Sequence, residues 1–128
     1  MILYHFVDVH FLKRNDIKVA IGSSSKNTMF ILERIGLDNY FDAIADGTQI
    51  SKSKPDPEVF LLAAKKLHLE PKDCIVVEDA KTGIDAANAG GFISVGINDA
   101  ANYSETKCRI KKVSDVLNII NETSYISI

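Results

Sequence analysis

The chain has 128 residues, of which 46% are hydrophobic, and a formal net charge of −2. This length suits one compact domain, which we expect to span residues 1–128. The nearly neutral charge, without a basic block, argues against nucleic acid as a partner. No apolar run approaches the roughly 20 residues of a membrane span, and the amino end lacks a signal-peptide layout, so we expect a cytoplasmic protein away from the membrane.

The amino-terminal segment is predicted to form a helix over residues 3–15. Apolar residues recur at a three-residue spacing at Phe6, Val9 and Leu12, as they do on one face of a helix. Two cations follow them, and cations are favoured at the carboxyl end of a helix.

A serine-rich turn, residues 23–27, follows the first predicted strand at residues 17–22. Hydroxyl and backbone N–H groups at a strand-to-helix turn can bind an anion beside the positive end of the helix dipole. Alternatively, Ser25 is only the N-cap of the next helix, predicted over residues 26–35. Met29, Leu32 and Ile35 share one face of that helix, and Gly36 follows as its C′ residue.

Lys54 lies in a stiff loop that follows a short predicted strand at residues 43–45. Pro55 disfavours a helical conformation at the lysine, while Asp56 and Pro57 suit the N-cap and first position of the next helix. That helix is predicted over residues 57–68. Its inward side chains are Phe60, Ala63, Ala64 and Leu67.

Two adjacent carboxylates, Glu78 and Asp79, end an apolar strand that Cys74 opens as a buried residue. Mg²⁺ usually takes one or two carboxylates together with waters and substrate phosphate. Acids at a strand tip lie in the crevice where α/β sheets bind ligands. The alternative is that Asp79 merely caps the helix that follows a turn at Gly83.

The remaining pattern continues the alternation of strands and helices. A helix ends near Ala89, a strand covers residues 93–96, and a last helix covers residues 113–120. Such alternation is typical of a three-layer, Rossmann-like α/β fold with a parallel sheet.

The chain resembles haloacid dehalogenase-like phosphatases and phosphotransferases, and most of all their β-phosphoglucomutase-like subgroup. The resemblance covers about residues 17–98 and depends on three motifs in the family's order. They are Gly-Ser-Ser-Ser-Lys-Asn, Ser-Lys-Pro-Asp-Pro-Glu and Val-Val-Glu-Asp-Ala-Lys-Thr-Gly-Ile. The resemblance implies Mg²⁺-dependent phosphoryl transfer on a small phosphorylated metabolite, with a phosphosugar as the expected substrate.

The resemblance also implies a role for each site residue. Lys54 would neutralise the transferring phosphoryl group, and Asp79 would hold Mg²⁺ with Glu78 beside it. Phosphate and substrate binding would fall to Ser23, Ser24, Ser25, Lys26 and Asn27.

Members of this family begin with a strand ending in Asp-x-Asp-Gly, whose first Asp is the nucleophile, and continue into a helical cap domain. Here only Asp8, with His10 two residues later, comes near that motif. A strand at this point needs a parallel crossover of eight residues, 9–16, which is shorter than the usual dozen or so. We therefore expect a partial core, truncated at the amino end and without a cap. Asp8 is then a candidate nucleophile only, and little turnover is expected.

The family's Asp-x-Asp strand lies between the serine strand and the Glu-Asp strand, so its loss would leave two open edges inside the sheet. Unpaired edges are costly and prone to association. The strands could slide together, residues 2–7 could insert, or a second copy could supply a segment and form a homodimer through the open edge. The terminal residues 124–128 are another candidate to fill an edge.

Two other functions fit parts of the pattern. One is a non-catalytic phosphate- or phosphosugar-binding module, or a truncated gene product. The other is a receiver-type signalling domain, which also combines paired acids, Mg²⁺, a hydroxyl and a lysine. The order of elements argues against a receiver domain, because Lys54 precedes Glu78 in this chain.

Overall fold

The structure, a computed structural model, describes residues 16–120 and 125–127. The strands of this part are β1 Val19–Gly22, β2 Ala43–Ala45, β3 Cys74–Glu78, β4 Ile93–Gly96, β5 Cys108–Arg109 and β6 Tyr125–Ser127. They form one parallel sheet in the order β2-β1-β6-β3-β4-β5. The predicted α/β class with a parallel sheet is confirmed.

Short helices connect the strands. They are α1 Thr28–Arg34, α2 Glu58–Lys66, α3 Lys81–Ala89 and α4 Leu117–Ile120, with 3₁₀ turns at Pro71–Asp73, Asn98–Asn102 and Val113–Val116. The last predicted helix is therefore divided into a 3₁₀ turn and α4. Among the described residues, no helix is long and apolar enough to cross a membrane. The predicted helix over residues 3–15, and Asp8 within it, lie outside the described residues.

Strand β3 is the centre of the core and is buried along its whole length. Its alternate residues enter two separate apolar clusters: Ile75 packs with Val19 and Val95, and Val76 packs with Phe60 on the other side of the sheet. A sheet covered on both faces explains why this strand is a continuous apolar run. Burial, with a smaller effect of the neighbouring Asp73, raises the pKa of the Cys74 thiol to about 11, which agrees with Cys74 as a packing residue.

The helix faces were predicted correctly for α2 and wrongly for α1. The four inward residues predicted for α2 are all at most 3% exposed. On α1, Leu32 is fully buried, but Met29 and Ile35 are 38% and 52% exposed. Three residues of a helix turn through about 300°, which is about 60° short of a full turn. Met29 and Ile35 therefore point away from the direction of Leu32, one to each side. Gly36 has a φ of 74°, as predicted for a C′ residue.

Strand β6 fills the slot between β1 and β3. Its Ile126 lies opposite Val19 on one side and Ile75 on the other. Of the ways to close the gap between β1 and β3, the structure shows the terminal candidate, because residues 125–127 occupy that slot. The edge on which the predicted homodimer depended is occupied, and the homodimer stays a prediction.

Candidate functional site

Three segments that are distant in the sequence meet at the carboxyl ends of β1 and β3. They enclose a pocket of about 420 Å³. Its lining residues are Ser23, Ser24, Ser25, Ser53, Lys54, Glu78, Asp79, Ala80 and Thr82. Open α/β sheets bind ligands in the crevice at this end of their strands. The pocket thus brings together the serine turn, the lysine loop and the paired acids. It lies at the carboxyl ends of the strands, as predicted.

The serine loop supplies hydrogen-bond donors to this pocket. Ser23 is fully buried, and its Oγ accepts the Ser25 amide at 3.1 Å. The Oγ of Ser25 in turn accepts the Asn27 amide at 3.1 Å. In the described part of the chain neither hydroxyl hydrogen is donated to a protein acceptor, so both are left for a ligand. Helix α1 has Asn27 at its N-cap position and no side-chain cap bond. Ser25 is therefore not the N-cap.

Lys54 links the two sides of the pocket. Its amide donates to Ser24 Oγ at 3.3 Å, and its Nζ donates to Glu78 Oε2 at 2.6 Å. The ammonium also lies 4.6 Å from the centre of the Phe60 ring, which is a cation–π contact. The bond that follows, Lys54–Pro55, is cis. The contacts of its ammonium with Glu78 and Phe60 hold the lysine side chain inside the pocket.

Protein groups engage both oxygens of the Glu78 carboxylate. While Oε2 binds Lys54, Oε1 accepts the amides of Asp79 and Ala80 at 3.2 and 3.4 Å. The residue is 5% exposed. Gly83 allows this arrangement, because a Cβ at Gly83 would overlap the Glu78 carboxyl group. Gly83 belongs to the first turn of α3 and not to the turn before it. The geometry suits Glu78 to hold Lys54 in place.

Asp79 lies at the rim of the pocket directly after β3 and is half-buried. The N-cap position of α3 is Ala80, so Asp79 is not the N-cap residue. Residues 16–120 and 125–127 contain no group of three or more His, Cys, Asp or Glu residues that could hold a metal ion. Mg²⁺ can keep several waters and use one or two carboxylates. Asp79 could supply one such carboxylate to a largely hydrated Mg²⁺.

The charges of the pocket bear on what it can bind. Lys54 supplies one positive charge, while Glu78 and Asp79 supply two negative charges, so the lining has one net negative charge. A phosphate anion would be repelled by this lining unless a cation bound with it. The hydroxyl donors and the net charge together favour an oxyanion accompanied by a divalent cation.

The loop that precedes Lys54 is held by Glu58 on α2. The Glu58 carboxylate accepts the Ser51 amide at 3.0 Å and the Lys52 amide at 2.8 Å. These two bonds, first that from Ser51, lower the pKa of the Glu58 carboxyl from its ordinary value of 4.5. Asp56 accepts the Glu58 amide at 3.0 Å. The N-cap position is Pro57, however, and α2 begins at Glu58, one residue later than predicted.

Not every predicted site residue lines the pocket. Lys26 and Asn27 are exposed and lie just beyond the lining, so their contact with a substrate stays a prediction. Sequence reasoning missed Thr82 in the lining and the ring of Phe60 beneath Lys54. A Cβ on Gly22 would lie 2.6 Å from Phe60 Cδ1. The glycine at the end of β1 was therefore the sequence feature that could have indicated a large side chain packed against this strand.

Comparison with known proteins assigns this fold and site to a family. The sequence matches the model of haloacid dehalogenase-like hydrolases over residues 9–91. The chain belongs to this family. Within it, the chain is 38% identical over 112 residues to a β-phosphoglucomutase of Bacillus subtilis. This alignment covers 87% of this chain and 50% of that protein. It is 31% identical over 122 residues to a phosphorylated carbohydrates phosphatase of Thermotoga maritima, covering 89% of this chain and 56% of the relative.

Solved structures of the family agree with the sequence comparison. A β-phosphoglucomutase structure from Clostridium difficile superposes with a TM-score of 0.79 at 35% identity, covering 91% of this chain and 52% of that one. The predicted family and its β-phosphoglucomutase-like subgroup are confirmed. The chain spans about half the length of the curated relatives it matches.

Proposed function

We propose that the pocket at the carboxyl ends of β1 and β3 binds the phosphoryl group of a phosphorylated sugar together with Mg²⁺. The observation that carries the proposal is the convergence of Ser23, Lys54 and Asp79 on one pocket. Hydroxyl donors, an ammonium and a carboxylate are the groups needed for a phosphate and its metal ion. The sugar is inferred from the relatives, since one is a β-phosphoglucomutase and another a phosphorylated carbohydrates phosphatase.

Each residue has a defined part in this proposal. Ser23 and Ser24 donate hydrogen bonds to phosphoryl oxygens, Lys54 offsets their charge, and Glu78 keeps the lysine in place. Asp79 is the main carboxylate ligand of the metal ion. When bound, Mg²⁺ supplies positive charge that stabilises the phosphoryl oxygens.

Turnover by the chain as given is proposed to be negligible. Phosphoryl transfer through an enzyme intermediate needs a carboxylate nucleophile in line with the phosphorus. In the described part of the pocket, the carboxylates are Glu78, which binds Lys54, and Asp79, which is assigned to the metal. Asp8 lies outside the described residues. Phosphate release from hexose phosphates that exceeds that of a Lys54→Ala, Asp79→Ala control, and that is lost in Asp8→Asn, would contradict this part.

Amide chemical-shift mapping tests the binding function directly. Inorganic phosphate is titrated into the labelled chain with and without Mg²⁺. We expect shifts to concentrate at Ser23, Ser24, Lys54 and Asp79 and to be larger with Mg²⁺, because the metal removes the net negative charge of the lining. Shifts elsewhere, or no saturable shift in the millimolar range, would contradict the proposal. Family membership favours this function over that of a receiver-type signalling domain.

A further inference from the structure

We infer that β6 is a spacer that sets the width of the pocket, and that its docking is coupled to oxyanion binding there. The coupling to ligand rests on the proposed function. The sheet has two parts that carry opposite sides of the pocket. On one side β1, which pairs with β2, leads into Ser23 and Ser24. On the other side β3, which ends at Glu78 and is followed by Asp79, pairs with β4, and β4 pairs with β5. Strand β6 lies between these parts and pairs with both.

The pairing register fixes the distance between the two sides. Ile126 lies opposite Val19 and Ile75, and neighbouring strands of a sheet are about 4.8 Å apart. Strand β6 therefore keeps β1 and β3 about 10 Å apart. Without it, β1 and β3 would either pair directly at half this distance or keep unpaired inner edges. Either change would move Ser23 relative to Asp79.

Contacts across the pocket depend on this separation. The Lys54 amide reaches Ser24 on one side, and its ammonium reaches Glu78 on the other, at 3.3 and 2.6 Å. A phosphate that binds Ser23 together with a metal at Asp79 would add a second link between the same two sides. Such a ligand favours the docked position of β6, and by thermodynamic reciprocity docked β6 favours the ligand.

Substitution at Ile126 tests the inference in the full chain. Ile126→Pro removes a backbone donor and is poorly tolerated in a central strand. Ile126→Val is the matched control, because it keeps the amide and a β-branched side chain. Without ligand, we expect Ile126→Pro to speed amide hydrogen exchange both at Ile21 on β1 and at Val77 on β3. With Mg²⁺, we expect its affinity for inorganic phosphate in calorimetry to fall by about 5- to 150-fold, the usual range of coupling between sites.

The reverse effect is measured in the wild-type chain, where saturating phosphate should slow exchange of the Ile126 and Ser127 amides. If the proline variant does not fold, Ile126→Gly replaces it, since glycine weakens a strand but keeps the amide. Unchanged exchange on β1 and β3 in the folded variant, or unchanged phosphate affinity, would overturn the inference. A wild-type chain that binds no phosphate would contradict the proposed function and the coupling. The comparison of exchange without ligand would then still decide whether β6 holds the two sides of the pocket.

Discussion

Lys54 Nζ lies 2.6 Å from Glu78 Oε2, and both side chains are less than a tenth exposed. This ion pair joins the loop before α2 to the end of β3 and fixes the only positive charge in the pocket lining of the described chain. Removal of one partner of a buried pair leaves the other charge without compensation. The pair therefore links stability to the function proposed for the pocket.

Replacement of Lys54 is expected to destabilise the fold. In Lys54→Ala the Glu78 carboxylate keeps its two amide donors but loses its counter-charge, and the expected cost is about 3 to 5 kcal/mol. Urea denaturation measures it. Lys52→Ala, two residues earlier in the same loop and exposed, is the matched control and should change stability by about 0.5 kcal/mol or less. Glu78→Gln in the Lys54→Ala background should recover part of the loss. Equal stabilities of the two lysine variants would contradict a structural ion pair.

Gly83→Ala tests the close approach of Glu78 to α3, because the contact and the helix propensity predict stability changes of opposite sign. Helix propensity alone predicts that alanine stabilises a helix by about 1 kcal/mol relative to glycine. The structure predicts the opposite, because the new Cβ overlaps the Glu78 carboxyl group, and overpacking typically costs about 1 to 3 kcal/mol. Thermal unfolding decides between them. A melting temperature above that of the wild type would contradict the arrangement of Glu78.

The loop before Lys54 should respond to acid through Glu58. Its pKa is lowered in the folded chain by the Ser51 and Lys52 amides. A carboxyl with a lowered pKa contributes stability above its ordinary value of 4.5, and this contribution is lost as the pH falls through the folded pKa. Below pH 4.5 we therefore expect the Ser51 and Lys52 amide resonances to move together with titration of Glu58. In Glu58→Gln this movement should be absent, and its persistence would contradict the role of Glu58.

Asp79→Asn tests the metal site. The substitution removes the carboxylate proposed as the main ligand while keeping the size of the side chain, so Mg²⁺ affinity in calorimetry should fall. The wild-type affinity is itself expected to be weak, since few protein ligands are present and several waters remain on the ion. Asp56→Asn, a carboxylate of the lysine loop that does not line the site pocket, is the control. Equal Mg²⁺ affinity in wild type and Asp79→Asn would count against a metal at this position.

Much of the site could be predicted from sequence because the relevant signals are local. Strand β4 has the predicted bounds. Asp79 directly follows β3, and Lys54 lies in the loop after β2. The carboxyl ends of these strands lie at one edge of a parallel sheet. The strand pattern was enough to place Asp79 at that edge, whereas the place of Lys54 in the site was implied by the family resemblance.

Other features could not be predicted because they depend on contacts between distant segments. The sequence offers residues 124–128 as one of several candidates for the gap in the sheet. Nothing local selects them, since pairing partners and register depend on the complete set of strands. The cation–π contact of Phe60 and the contact of Gly83 with Glu78 likewise require side-chain positions from separate elements. The helical periodicity placed Phe60 correctly in the core but gave no information about Lys54.

Calorimetric titration of inorganic phosphate in the presence of Mg²⁺ tests the central claim most directly, with the wild type, Lys54→Ala and Lys52→Ala compared at one temperature where all three are folded. The account predicts saturable binding by the wild type and by Lys52→Ala. It predicts loss of most of that binding in Lys54→Ala, because Lys54 lines the pocket and Lys52 does not. Equal phosphate affinity of the two lysine variants would contradict the assignment of this pocket as an oxyanion site.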